Sequence, residues 1–406
     1  MEKLMKSKFL LPLSILCSSL PVYAESSVTL YGVLDSGIHY VSNQNSNGDQ
    51  ASAKLKLKGG NWFGNRWGLR GSEDLGNGTI ATFVLENGFG IFNGQAEPHK
   101  SQMFGREATV GFANERLGML TFGRQYDSFA DYLGIYSAAN DWATGIGAHF
   151  GDIDNINSSI RINNSIKYQS ASLNGFRFGG LYSLDGISGH FTRNQVWSAA
   201  ASYAHGPFSI GAGYSDIKNP LVGSIDNPQA SPYSTIDNAY EGGLPKVYGN
   251  LQVASSMHVM GLGGSYKIDD VILKAVISRS KLKDSQYFAL NNIGTTNSDV
   301  RFDNFEVSIK YLASPALNVG AAYTFTNGKT DYLNLNPRFH QINIGSNYAI
   351  SKRTAIYLAA GFQKAAGDGL AVDSNGNFRK FAGLSGNNAS SSDRQFVLTT
   401  GIKHSF

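Results

Sequence analysis

The stretch DNFEVSIKYLASPALNVGAAYTFT, residues 303–326, alternates on both sides of a turn. Phe305, Val307, Ile309 and Tyr311 share one face, with Asn304, Glu306, Ser308 and Lys310 on the other. After Ala313-Ser314-Pro315, Leu317, Val319, Ala321, Tyr323 and Phe325 alternate with Asn318, Gly320, Thr324 and Thr326. Such a period of two marks strands with one apolar and one polar face. The last segment repeats it, with Phe396, Leu398, Thr400, Ile402 and Phe406 on one face and Gln395, Thr399 and Lys403 on the other. Alternation alone leaves two readings open. The apolar face points at a dry core in a secreted sandwich or β-helix, and at lipid in a membrane barrel.

The connections decide between them. Strands are expected at 27–41, 62–72, 78–89, 104–113, 117–126, 160–170, 174–185, 195–205, 207–217, 257–266, 270–281, 303–313, 316–326, 338–348, 354–364 and 394–406, sixteen in all. Short turns such as His205-Gly206 and Ile268-Asp269-Asp270 alternate with long polar stretches, the largest being 127–159 and 218–256. Short turns at one end and long loops at the other are the asymmetry of an outer-membrane barrel. Proline, which cannot donate to a ladder, falls at turns, in long loops or near the N-terminus, and inside none of these strands. The expected fold is therefore all-β, a 16-stranded antiparallel transmembrane barrel. A barrel of that size encloses water instead of a packed core. Tyr31, Tyr311, Tyr323 and Phe406 are expected on its outer face as interfacial aromatics.

The N-terminus fits export. Lys3, Lys6 and Lys8 precede an apolar run at 9–20, and Pro21-Val22-Tyr23-Ala24 offers a small-residue cleavage site. A cleaved signal peptide is expected at 1–24 and the barrel at 25–406. The run is too short for a membrane anchor. Cys17, the one cysteine, lies within this leader, so the expected mature chain has no disulfide framework and no thiolate metal site. Without Lys3, Lys6, Lys8 and Glu2 the net charge is about +2, which gives no support to nucleic-acid binding. The histidines are scattered, no G-x-S-x-G is present, and no catalytic constellation, cofactor motif or metal-ligand spacing is read.

Residues 127–159 break the pattern. They contain Asp127, Asp131, Asp141, Asp152 and Asp154 but no lysine or arginine, and they do not alternate. So long a segment without strand character is uncommon in a compact domain and usually functional. It is expected to fold into the barrel mouth and narrow the pore. Alternation points Arg66, Arg70, Arg106, Arg161 and Lys167 at the lumen, with Glu86 among them. Arginines on the wall facing acids on the loop, with Asp131, Asp141, Asp152 and Asp154 as candidates, would set a transverse field across the constriction. Leu120, Phe122, Arg124 and Tyr126 share the outward face, where an isolated charge should not meet lipid. Arg124 is either a subunit-interface residue paired with an acid such as Glu97 of a neighbour, or a charge above the hydrocarbon.

NRWGLRGSEDLGNGTIATFVLE at 65–86, FGREATVGFANERLGMLTFGRQY at 104–126, TLYGVLDSGI near the start and NNSIKYQS at 163 together resemble the general diffusion porins of Gram-negative outer membranes. The likeness is nearest the neisserial and betaproteobacterial branch. It implies a homotrimer of barrels, each with its own pore for ions and small hydrophilic solutes, and a third loop folded inward. It also implies contact with outer-membrane lipid and lipopolysaccharide, and a terminal aromatic, here Phe406, read by the barrel-assembly machinery. By motif position Arg66, Arg106 and Arg161 match the family's basic wall and Glu86 its acidic neighbour, while Val33 stands where the family has a further basic residue. A substrate-specific channel of the same fold, and an outer-membrane adhesin or enzyme, are the alternative readings.

Overall fold

In the computed structural model the two faces of each alternating segment are placed the opposite way round from a soluble protein. Phe305, Val307 and Ile309 are 48%, 58% and 42% exposed, whereas Asn304, Glu306 and Thr324 are at most 2% exposed. The greasy side looks out and the polar side looks in, which only a lipid surround stabilises. The structure describes residues 26–45, 51–97, 102–184, 188, 192–220, 236–237, 246–373 and 376–406. The expected leader lies outside them.

Sixteen strands run antiparallel in chain order. They are β1 (Ser27–Asn45), β2 (Ala51–Gly59, resuming at Arg66–Asp74), β3 (Thr79–Phe89), β4 (Glu107–Asn114), β5 (Gly118–Gln125), β6 (Arg161–Gln169), β7 (Phe176–Ser183) and β8 (Val196–His205). There follow β9 (Phe208–Lys218), β10 (Ser256–Ile268), β11 (Val271–Ser285), β12 (Ser298–Leu312), β13 (Leu317–Thr330), β14 (Pro337–Ala349), β15 (Thr354–Gly367) and β16 (Arg394–Ser405). Residues Val33 to Val41 of β1 pair with Ser405 to Val397 of β16, closing the sheet into a barrel. Gly32 and Phe406 exchange both backbone hydrogen bonds at 3.1 Å, so the last residue of the chain completes the seam. Pro337, expected in a loop, opens β14, a position where its missing N–H costs no interior ladder bond.

The second strand departs from expectation. It begins at Ala51 instead of 62, because Lys54-Leu55-Lys56-Leu57-Lys58 alternates in register with Val41 to Gly37. It then leaves the ladder for six residues, Gly60 to Asn65, while β1 advances only by Leu34 and Asp35. Both backbone N–H groups of Trp62 and Phe63 donate to the Asp35 carboxylate, at 2.6 and 2.8 Å, and this folds the excess chain into the lumen.

The loop at 127–159 fills much of the barrel interior. Asp127 caps the helix α1 (Ser128–Leu133) by accepting from the Ala130 N–H at 2.9 Å. Phe129, Leu133, Tyr136, Trp142, Phe150, Ile153 and Ile156 are all buried. The wall makes room for them with glycine at inward positions. A Cβ on Gly211, Gly213, Gly261 or Gly263 would press on Phe129, Leu133 or Tyr136, and one on Gly320 would fall within the indole of Trp142. External segments add Tyr248, Leu251, Tyr287, Phe288 and Leu370 to the same apolar cluster. One half of the lumen is thus solid, along β7 to β15, and the bore runs along β1 to β6.

Outside, Tyr311, Tyr323 and Phe406 are exposed as expected, but Tyr31 faces inward and donates to Glu86. On the outer face of β10 to β13, charged residues replace the apolar ones towards the loop end. There Arg279 and Arg301 share Asp303, and Lys281 and Lys283 share Asp299.

Replacing Gly320 by Ala should push Trp142 off the wall. An overpacked contact of this kind costs about 1–3 kcal/mol, to be read as a lower midpoint for denaturant unfolding in lipid vesicles.

Candidate functional site

Arg66 starts the second piece of β2, Arg106 immediately precedes β4 and Arg161 starts β6, so the loop-side ends of three alternate strands aim guanidinium groups into one bore. Glu86 on β3 lies among them. Arg106 Nε donates to Glu86 Oε1 at 2.7 Å, Arg66 Nη1 lies 3.6 Å from the same oxygen, and Tyr31 donates to Oε2 at 3.1 Å. Tyr126 ties the cluster together. Its hydroxyl accepts from Arg106 Nη2 at 2.8 Å and from Arg161 Nη2 at 3.0 Å, and its ring centroid lies 4.9 Å from the Arg161 guanidinium carbon. One carboxylate, in contact with two of the three guanidinium groups, leaves the cluster positive. Arg70 shares the lumenal face but sits nearer the turn end, exposed and 5.2 Å from the ring of Tyr31, apart from the cluster.

Strict alternation would send Tyr126 outward with Arg124. The register with β6 slips between Gly123 and Gln125, Gln125 still reaches inward to Thr121 and Ser165, and Tyr126, just past the strand end, turns in beside it. Gly123 takes a φ of 132°, and a Cβ there would collide with the carbonyl of Ala108. Within this irregularity Arg124 stays on the outer side, buried, with Nε donating to the Gly105 carbonyl at 2.8 Å and Nη1 to Asn163 Oδ1 at 2.6 Å.

The loop acids do not face the arginines, which corrects the expected transverse pairing. Asp131 takes Lys167 at 2.8 Å, and Asp141 takes Lys274 and Lys310, each at 2.7 Å. Asp152 turns back on its own loop, accepting from the N–H groups of Asn157 and Ser159 and from the Ser159 hydroxyl. Asp154 accepts from Ser278 and Asn304 and meets His149 Nδ1 at 2.5 Å. These carboxylates fasten the loop to its own turns and to β6, β11 and β12. Their fixed positions follow from helical and 3₁₀ turns in the loop, a geometry to which strand alternation is blind. The loop edge that lines the bore is neutral: Asn140, Gly145, Asn157, Ser158 and Ser159.

Buried loop groups are strongly perturbed. Burial pushes Asp127 up to about 6, with its bond from Ala130 opposing. Burial and the Asp154 charge raise Asp152. Burial also works against Asp141, but Lys274 and Lys310 outweigh it and hold that carboxyl below its usual range. His149 is wholly enclosed, and burial alone would lower it. Asp154 at 2.5 Å and Glu306 Oε2 at 3.0 Å from Nε2 instead raise it well above 6.5. The imidazolium therefore links loop and wall through two carboxylates.

The open part of the bore is a cavity of about 810 Å³. Lys56, Lys58, Arg66, Arg106 and Arg161 line it, against Glu97 as a lining carboxylate and Glu86 behind. Trp62 and Phe63 project into it. The two lysines are legible in the Lys-Leu alternation at 54–58, whereas Trp62, Phe63, Tyr126 and His149 depend on a strand break, a strand end and a loop fold. No cluster of metal-ligating side chains occurs among the described residues.

The family profile for Gram-negative porins matches residues 13–368. An outer membrane porin protein of Bordetella pertussis is 27% identical over 379 residues, covering 84% of this chain and 90% of that protein. Among solved structures, an anion-selective porin from Comamonas acidovorans superposes with a TM-score of 0.68 at 22% identity, over 94% of this chain and 100% of that one. The trimer form of OmpT of Vibrio cholerae gives 0.62 at 14% identity, over 94% of this chain and 99% of the other.

His149 gives the loop a pH signature. A group raised in the folded state contributes fully below its free value of 6.5 and loses that contribution as pH climbs through the folded value. Current noise from loop motion should therefore rise as single channels are taken from neutral to alkaline pH, and His149→Gln channels should lack that rise.

Proposed function

The chain belongs to the Gram-negative porin family, and from that premise we propose that its pore prefers anions and that three such barrels form a homotrimer. It is an outer-membrane channel for the passive diffusion of ions and small hydrophilic solutes, and its relatives are channels rather than enzymes. The observation that carries the anion preference is the uneven lining of the bore, five cations against one lining carboxylate among the described residues, with the acids of the loop engaged elsewhere. In a narrow aqueous passage with low-dielectric walls such an excess raises the local concentration of anions and repels cations. Arginine keeps its charge at any relevant pH, so the preference should not titrate away near neutrality. The Comamonas acidovorans porin, whose fold this chain shares, is described as anion-selective, which favours the same reading.

The trimer reading draws on the family and on the trimer form of the Vibrio cholerae neighbour. We place Arg124 near the subunit contact because it sits on the outer face of β5 with its charge turned sideways. Phe406, exposed at the turn end, suits recognition by the barrel-assembly machinery. The outward lysines and arginines above the apolar band suit phosphate-bearing outer-leaflet lipid, lipopolysaccharide included.

Reversal potentials in a salt gradient test the preference. A unit charge about 4 Å from a passing ion in water contributes roughly 1 kcal/mol, so Arg66→Ala or Arg161→Ala should each cut the anion-to-cation permeability ratio about twofold to fivefold. A native channel that passes potassium better than chloride would refute the reading.

A further inference from the structure

Simple ions do not need an aromatic wall. Apolar surface in a constriction tends to dewet it and slow them. Yet Trp62 and Phe63 stand in the narrow part of this bore, and the fold takes trouble to keep them there. Asp35, wholly buried, binds both of their backbone N–H groups through Oδ2 and accepts from the Tyr357 hydroxyl through Oδ1 at 2.6 Å. Its own N–H donates to Asn65 Oδ1 at 2.6 Å. The indole N–H of Trp62 reaches the Asp141 carbonyl at 2.6 Å, so the projection is tied to the constriction loop as well as to the wall. The two rings lie 5.2 Å apart at a 39° tilt, and Lys403 Nζ is 5.1 and 4.9 Å from their centroids. Both rings are only partly buried and line the same cavity as the arginines.

The cations sit one step along the same projection. Arg66 Nε donates to the carbonyl of Gly64 at 2.9 Å, directly after Phe63. In the same cluster Arg161 is 6% exposed, with its Nη atoms held by the Ser159 carbonyl and the Tyr126 hydroxyl. A volume of about 810 Å³ is within the ordinary range for small-molecule sites.

We propose that this constriction is a binding site for organic anions carrying a flat ring, that is, aromatic carboxylates, with the ring against Trp62 and Phe63 and the carboxylate on the Arg66–Arg106–Arg161 cluster. The site rests on the anion-preferring pore argued above and adds a substrate class to it. Guanidinium groups bind a carboxylate through charge-assisted hydrogen bonds, and ring stacking on two aromatic side chains supplies discrimination at fixed charge.

The test uses the full-length protein in planar bilayers, with chloride current blocked by benzoate or by cyclohexanecarboxylate. The two anions share charge and carbon count, but only one is flat. Benzoate should halve the current at a concentration about threefold to tenfold lower. A Trp62→Leu/Phe63→Leu double variant should bring the two blocking concentrations together, and Arg161→Ala should raise both. Equal block by the two anions in the native channel would overturn the proposal, as would a benzoate advantage that survives in the double variant. Should that variant fail to fold, the native comparison alone decides. A native channel without chloride preference would sink the anion reading itself, which the benzoate-to-cyclohexanecarboxylate ratio leaves untouched.

Discussion

A backbone amide that faces hydrocarbon has no partner except another strand, and the whole architecture follows from that constraint. Every strand of the wall must have two neighbours, so the sheet has to return on itself, and β1 does so against β16 over nine paired positions. Closure at sixteen strands encloses more space than the inward side chains can fill. The two faces of each strand then meet different media, which is why Gln341, Asn343 and Gln363 are buried while Ile342, Ile344 and Phe362 are exposed. The space left inside is what the loop at 127–159 occupies.

How the loop occupies it decides the electrostatics of the bore. Its apolar residues settle against inward glycines of β9, β10 and β13, and its carboxylates find lysines of β6, β11 and β12, hydroxyls and the loop's own His149. The acid content of the loop is consumed in fastening it. What remains at the water is an uncharged edge opposite a cationic wall. A loop fastened by apolar contacts only would leave its acids free to cancel the arginines.

The sequence made the wall legible because a strand in a membrane barrel is a local pattern. Alternation, turn lengths and proline positions sufficed for fifteen strand positions and for the odd character of the loop. It also pointed Arg66, Arg106, Arg161 and Glu86 at a common lumen, since neighbouring strands carry neighbouring side chains. It failed where a strand ends. Tyr126, the first residue past the end of β5, turns to water beside the inward Gln125, and no period-two reading foresees where alternation stops. The loop aspartates failed for a related reason: their directions are fixed by short helical turns and by distant partners such as Lys274 and Lys310, which no local pattern reports. The start of β2 differs in kind, because the alternation at Lys54 to Lys58 is itself a strand signal, cut off from Arg66 by the break at Gly60 to Asn65.

The interruption of β2 separates two things that are joined elsewhere in the wall. Gly59 is held opposite Ser36 and Arg66 opposite Val33, each by its own ladder partners, and only the six residues between them enter the lumen. Lengthening or trimming that inward spur leaves both anchorages where they are. Aperture and scaffold can consequently diverge at independent rates, and a descendant protein can acquire a new sieve while inheriting the old cylinder unchanged.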